Sequence, residues 1–174
     1  MAETEPRRRI AVLTASDSAA RGLRADRSGV LLASLAARLG DVTATAVEPD
    51  DFGRLRARLE GWIREGMDLI LTTGGTGLGP RDVMPEVTRA LVRRPVPGLA
   101  EALRQESARH TPTGWLSRGE AGVAGRSLII NLPGSPAAVE QLWPLLEALL
   151  PHALELLHGH TAHDPAAQNP PGKV

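Results

Sequence analysis

The sequence predicts an α/β protein built from parallel β–α–β crossovers. Short apolar, β-branched runs alternate with helix-spaced apolar stripes from residue 9 to residue 73, which is the pattern of a parallel sheet with helical returns. Glycines stand where those stripes stop. The most apolar run closes on a glycine-rich loop, "TTGGTGLGPRDVMPE" (72–86), at the place where an open parallel sheet holds a ligand. The length of 174 residues suits one domain with a full core, and we expect it to occupy 1–160.

In chain order, "RIAVLTAS" (9–16) reads as a strand, with Ser16, Asp17 and Ser18 opening a polar loop through Gly22. Leu31, Leu35 and Leu39 beside Leu32 and Ala36 give a helix stopped at Gly40. "VTATAVEP" (42–49) is the second strand. Phe52, Leu55, Leu59, Trp62 and Ile63 mark a second helix ended by Gly66, and "MDLILTT" (67–73) the third strand. Pro85 to Val92 reads as a short helix broken by Pro95 and Pro97, and 98–110 resumes helical spacing. "AGVAG" (121–125) reads as an edge strand turning at Gly125 into the strand "SLIINLP" (127–133). Val139 to Leu157 is a long helix, expected to kink or split at Pro144 and Pro151. The polar, Pro-rich tail 161–174 is expected to be disordered.

Lys plus Arg and Asp plus Glu both total 20, so no long-range field favours nucleic acid or an anionic membrane. Without cysteine, disulfides, thiolate zinc sites and a cysteine nucleophile are excluded. "MAETEPRRR" lacks the apolar centre of a signal peptide and no segment has the roughly 18 apolar residues of a span, so a cytoplasmic protein is expected.

Glycines 74, 75 and 77 have no side chain to block a ligand, and consecutive amides turned inward form an anion-binding nest. The loop matches neither common nucleotide signature. Gly79-Pro80-Arg81 stands where a Walker A needs Gly-Lys-Ser/Thr, and "GTGLGP" has proline where the third dinucleotide glycine belongs. A glycine-rich turn without a ligand competes equally. Asp50 precedes a helix and reads as an N-cap as readily as a site acid, and Asp82 has the same ambiguity. Held together beside phosphates, the two would make a magnesium site.

In order along the chain stand "TASDSAARG", "DRSG" (26–29), "VEPDD" (47–51), "DLILTTGGTGLGPRDVMPE" (68–86), "PGLAEALRQES" (97–107), "WLSRGEAGVAGRSLIINLPGSP" (115–136) and "LLPHALELL" (149–157). With these motifs the chain resembles the MogA/MoaB-type molybdenum-cofactor biosynthesis proteins, which include molybdopterin adenylyltransferases and the gephyrin G domain, from about Arg9 to Gly159. The resemblance implies a three-layer αβα sandwich around a mostly parallel sheet, assembled as a homotrimer. It also implies magnesium-dependent transfer of AMP from ATP to molybdopterin, with later hand-over to a molybdate-inserting enzyme. The family's two acidic positions fall on Asp50 and Asp82, which would hold Mg2+. Some MoaB-type members lack both acids, so the alternative is a non-catalytic pterin-binding scaffold. Met84 departs from the family's usual threonine; if that position is the N-cap, the turn loses about 1 kcal/mol.

On this reading Gly74, Gly75, Thr76, Gly77, Pro133, Gly134 and Ser135 are candidates to hold nucleotide phosphates, and Ser16, Asp17, Ser107, Ser117 and Arg118 to meet the pterin. The last five serve equally as turn or surface residues. Arg81 reads first as a solvated arginine that can reach phosphate. His158, His160 and His163 lack a scaffold for a metal, and His152 reads as packing. The tryptophans and the phenylalanine read as core or subunit contacts. A nucleotide-pyrophosphate hydrolase on the same sheet is the remaining rival.

Overall fold

A computed structural model describes residues 7–159. The tail from 161, with His160 and His163, lies outside the described residues. The elements are β1 (Arg9–Ala15), α1 (Asp17–Ala20), α2 (Arg27–Ala36), β2 (Asp41–Glu48), α3 (Phe52–Arg64), β3 (Leu69–Thr73), α4 (Met84–Leu91), β4 (Arg94–Pro95), α5 (Pro97–His110), a 3-10 turn (Pro112–Leu116), β5 (Ala121–Ala124), β6 (Ser127–Leu132) and α6 (Pro136–Leu157). Six strands form one sheet in the order β2-β1-β3-β6-β5-β4. β2, β1, β3 and β6 are mutually parallel, while at one side β5 runs antiparallel to β6 and β4 antiparallel to β5.

Strand alternation divides the core into two layers, because successive side chains leave opposite faces. Ile10, Val12, Leu69, Leu71, Leu128, Ile130 and Leu132 face the apolar stripes of α2, α5 and α6. Ala11, Leu13, Ile70 and Ile129 face Leu55, Leu59 and Trp62 of α3 and Met84 and Val87 of α4. This is the three-layer αβα arrangement. β1 lies between β2 and β3, so the chain crosses over one face by α2 and returns over the other by α3. Such a reversal opens a crevice at the carboxyl ends of the central strands.

Several local expectations are corrected. The stretch after Ser16 is a one-turn helix: the Ser16 hydroxyl accepts from Ala19 N at 3.3 Å and caps α1. The "AGVAG" strand lies inside the sheet, because a two-residue strand, β4, covers it. Pro95 sits on that edge, where its missing N–H leaves no gap in the ladder. α6 runs as one helix through Pro144 and Pro151; burial of Val139, Leu142, Trp143, Leu146, Leu150 and Leu154 along one stripe outweighs the backbone bonds that proline removes. Met84 is not the cap of α4. That position is Val83, and Met84 is fully buried in the core beneath the loop. His152 is exposed on α6, 3.7 Å from Glu155, rather than packed. Trp62 and Trp143 are buried, whereas Trp115 and Phe52 are exposed. No helix of the described residues is long and apolar enough to cross a membrane.

Candidate active site

The exits of β2, β1, β3 and β6 are neighbours on one rim. Hydrogen bonds tie the exits of β1 to β2 and of β3 to β6: Ser16 N donates to Glu48 O at 2.9 Å, Gly74 N to Leu132 O at 3.1 Å, and the Thr73 hydroxyl to Pro133 O at 2.7 Å. Residues far apart in sequence therefore line one cavity of about 240 Å³, including Ser16, Asp50, Gly74, Gly75, Asp82 and Gly134.

Asp50 does not cap α3; its neighbour Asp51 does, accepting from Arg54 N at 2.9 Å. Asp50 is thereby free to turn across the rim toward β1. Its Oδ2 accepts from Asp17 N at 3.0 Å, and its own N–H donates to Asp17 Oδ1 at 3.2 Å. The other oxygen, Oδ1, is buried without a hydrogen-bond partner. Burial raises the Asp50 pKa above the ordinary carboxylate value; the Asp17 amide opposes this, and the charges of Asp17 and Asp82 reinforce it. Asp17 is held by Arg81, whose Nε and Nη2 donate to its two oxygens at 3.0 and 2.8 Å. That pairing lowers the Asp17 pKa.

Asp82 does not cap α4 either. Its Oδ2 accepts from Gly79 N at 2.8 Å, inside the glycine loop. Three of the loop glycines have reasons within the protein. A Cβ on Gly74, at φ +92°, would stand 2.3 Å from Ala15 O; one on Gly75, at φ +65°, 3.0 Å from Asp50 Oδ1; one on Gly77, 2.9 Å from Asp82 Oδ2. The bare backbone thus lets strand exits and both acids approach each other. The amides of Gly75, Thr76 and Gly77 have no acceptor among the described residues, which leaves them for an outside anion.

The family described as "Probable molybdopterin binding domain" matches residues 11–152. The chain belongs to the MogA/MoaB family of molybdenum-cofactor biosynthesis proteins. It is similar to the molybdopterin adenylyltransferase of Helicobacter pylori J99, at 34% identity over 158 residues, covering 87% of this chain and 88% of the relative. It is also similar to the molybdenum cofactor synthesis protein cinnamon of Drosophila melanogaster, at 42% identity over 84% of this chain and 25% of the relative. The chain spans about a quarter to a half of the length of several longer curated relatives. Among solved structures, the molybdopterin biosynthesis enzyme MoaB of Thermus thermophilus superposes with a TM-score of 0.80 at 47% identity, covering 87% of this chain and 96% of that one.

In this MogA/MoaB member the remaining candidates divide between two cavities on either side of the glycine loop. Ser107 and Ser117 line a second, open one of about 400 Å³ with Thr76, Gly77, Pro133 and Ser135. Ser16 lines the acid cavity and Asp17 stands beside it, tied to Asp50 and Arg81. The Ser135 hydroxyl caps α6 by accepting from Ala138 N at 3.0 Å. The Arg118 guanidinium points into the glycine loop, to the carbonyls of Gly77 and Asp82. Sequence reasoning singled out no role for Thr14, Arg24, Asp26 and Arg27, which also line the acid cavity. Asp26 caps α2 through Gly29 N at 2.8 Å and accepts from the Thr14 hydroxyl at 2.7 Å; a cap signature just before "RSG" was the available signal. His158 lies 3.0 Å from Asp68 at the amino end of β3, remote from this rim.

Proposed function

We propose that this chain transfers AMP from ATP to molybdopterin, giving adenylyl-molybdopterin and pyrophosphate, and that it does so with Mg2+ held by Asp50 and Asp82. The observation that carries this reading is a single cavity lined by both carboxylates and by Gly74 and Gly75. The donor set fits a hard divalent cation: two carboxylates, one with a buried oxygen, Asp50 Oδ1, that lacks a protein partner. When bound, magnesium supplies neutralising charge for phosphate oxygens.

The terminal phosphate oxygen of molybdopterin forms a bond to the α-phosphorus of ATP as the bond to the bridging β-oxygen breaks in line. Pyrophosphate carries away the electron pair. The amides of Gly75, Thr76 and Gly77 donate to phosphate oxygens, already oriented because the loop is fixed at Gly74 N–Leu132 O and Met84 N–Gly75 O, both 3.1 Å. Gly134, packed on Gly74, and Ser135 border the same backbone. Ser107 and Ser117, across the glycine loop from the acids, and Ser16 and Asp17, at the acid cavity, are the residues proposed to meet the pterin. A domain over 1–160 carries this activity in the cytoplasm as a homotrimer, and its product goes to a molybdate-inserting enzyme.

Pyrophosphate release from ATP, followed with Mg2+ and with or without molybdopterin, tests the reading. Release matched by adenylyl-molybdopterin and dependent on the pterin is the expected result. Binding without turnover would make the protein a scaffold, and ATP cleavage without pterin would make it a hydrolase.

A further inference from the structure

Arg118 follows the 3-10 turn, and its guanidinium is directed away from solvent into the glycine loop. Nε donates to Gly77 O at 2.7 Å, Nη2 to Asp82 O at 2.5 Å, and Nη1 to the Glu86 carboxylate. Its own N–H donates to Thr76 O at 2.9 Å. Between Gly77 and Asp82 the chain bulges outward, with Leu78, Gly79, Pro80 and Arg81 exposed. The internal ties of that bulge are the two bonds between Gly79 and Asp82, and Arg81 reaches across to Asp17. One planar group therefore closes both ends of the segment that carries Asp82. It also pins that segment to the first turn of α4 through Glu86.

We infer that Arg118 is a positioning residue for Asp82, a clasp that fixes where this carboxylate points, rather than a contact to the pterin. The inference rests on the reading that Asp82 holds the metal. Arginine suits the task because its rigid fork reaches carbonyls in two directions and a carboxylate in a third, which a lysine ammonium on a flexible stem does not reproduce. Glu86 completes the clasp. Burial resists its ionisation, but the Arg118 guanidinium and its own backbone amide keep its pKa below the ordinary value. Groups that orient a metal ligand without touching the ion typically change affinity or activity 10- to 100-fold when removed.

The test uses the full chain with Arg118→Gln, Arg118→Lys and Glu86→Gln. Amide hydrogen exchange is followed over 76–82 without metal, Mn2+ affinity is measured with a non-hydrolysable ATP analogue, and Mg2+ activation and molybdopterin KM are measured in turnover. Arg118→Gln should speed exchange across 76–82 roughly tenfold and weaken Mn2+ about 10-fold or more, with the KM for molybdopterin unchanged. Arg118→Lys should recover part of the loss, and added guanidinium ion should restore some of it to the Gln variant. Glu86→Gln, which keeps both carbonyl bonds and weakens only the third tie, should speed exchange less than Arg118→Gln, and matching denaturation midpoints for the variants and wild type exclude a folding defect. A raised molybdopterin KM with unaltered loop exchange and Mn2+ affinity would overturn the inference and return Arg118 to the pterin. Absence of AMP transfer in the wild-type protein would sink the adenylyl-transfer reading instead, while exchange and Mn2+ binding still decide the role of Arg118.

Discussion

The two acids at the rim are held in opposite ways. Asp50 belongs to the frame of the sheet: it follows β2, exchanges amide-to-carboxylate bonds with Asp17 after the neighbouring strand, and keeps one oxygen buried and unpartnered. Asp82 belongs to an outward loop and takes its position from Gly79 and from a guanidinium that reaches over from beyond α5. The first is set by fold topology and resists ionisation; the second is set by a clasp that a single substitution removes. On the proposed reading, one jaw of the site is therefore held by the sheet and the other by a side-chain clasp.

The largest effect comes from removing either charge. Asp50→Asn and Asp82→Asn should each lower AMP transfer by 100-fold or more, about 3 kcal/mol on the barrier, while far-ultraviolet circular dichroism stays unchanged. An Asp82→Asn protein at wild-type rate would remove that acid from the site.

Two glycines sharpen the contrast between the jaws. Gly75→Ala places a Cβ 3.0 Å from Asp50 Oδ1 and 3.3 Å from Met84 Cβ at φ +65°, so it should cost about 1–2 kcal/mol of stability together with activity. Gly79→Ala meets Asp82 Oδ2 at 2.8 Å on an exposed loop without a positive φ. There the side chain can yield, so activity should fall with stability within about 0.5 kcal/mol of wild type. Denaturant unfolding beside turnover separates the two outcomes.

Met84→Thr should destabilise by about 2–4 kcal/mol rather than add a cap, since Met84 is fully buried and Val83 holds the cap position. A rise in the denaturation midpoint would show that residue 84 caps α4 after all.

The smallest effect is a gain. The Asp50 pKa is raised mainly by burial, and an acid whose folded value lies above its unfolded value costs stability once pH passes the unfolded value, reaching the full cost above the folded one. Metal-free Asp50→Asn should therefore melt above wild type at neutral pH and lose that advantage in acid, where the wild-type carboxylate is protonated. Asp17, whose pKa is lowered by Arg81, contributes in the opposite sense: its stabilisation is present above the unfolded value and is lost as pH falls through the folded one.

The elements that alternate apolar strand and striped helix were legible because period and punctuation are local. α1 was not, since one capped turn has no periodicity to read, and neither was β4, where Pro95 looks like a breaker until its edge position is known. Asp50 and Asp51 illustrate a limit of another kind. Both precede α3, and only the backbone decides which one caps it and which one faces the cavity. The role of Arg118 was hidden because its guanidinium partners are carbonyls and a carboxylate 32 to 41 positions away, a constellation without any signature in spacing.

Anomalous diffraction from a crystal soaked with Mn2+ and a non-hydrolysable ATP analogue bears most directly on the shared-ion claim. A single peak bridged by carboxylate oxygens of residues 50 and 82, each about 2.0–2.3 Å away and with analogue phosphate over the amides of residues 75–77, is the outcome required. A metal bound to neither acid, or analogue phosphates seated away from that loop, would contradict it.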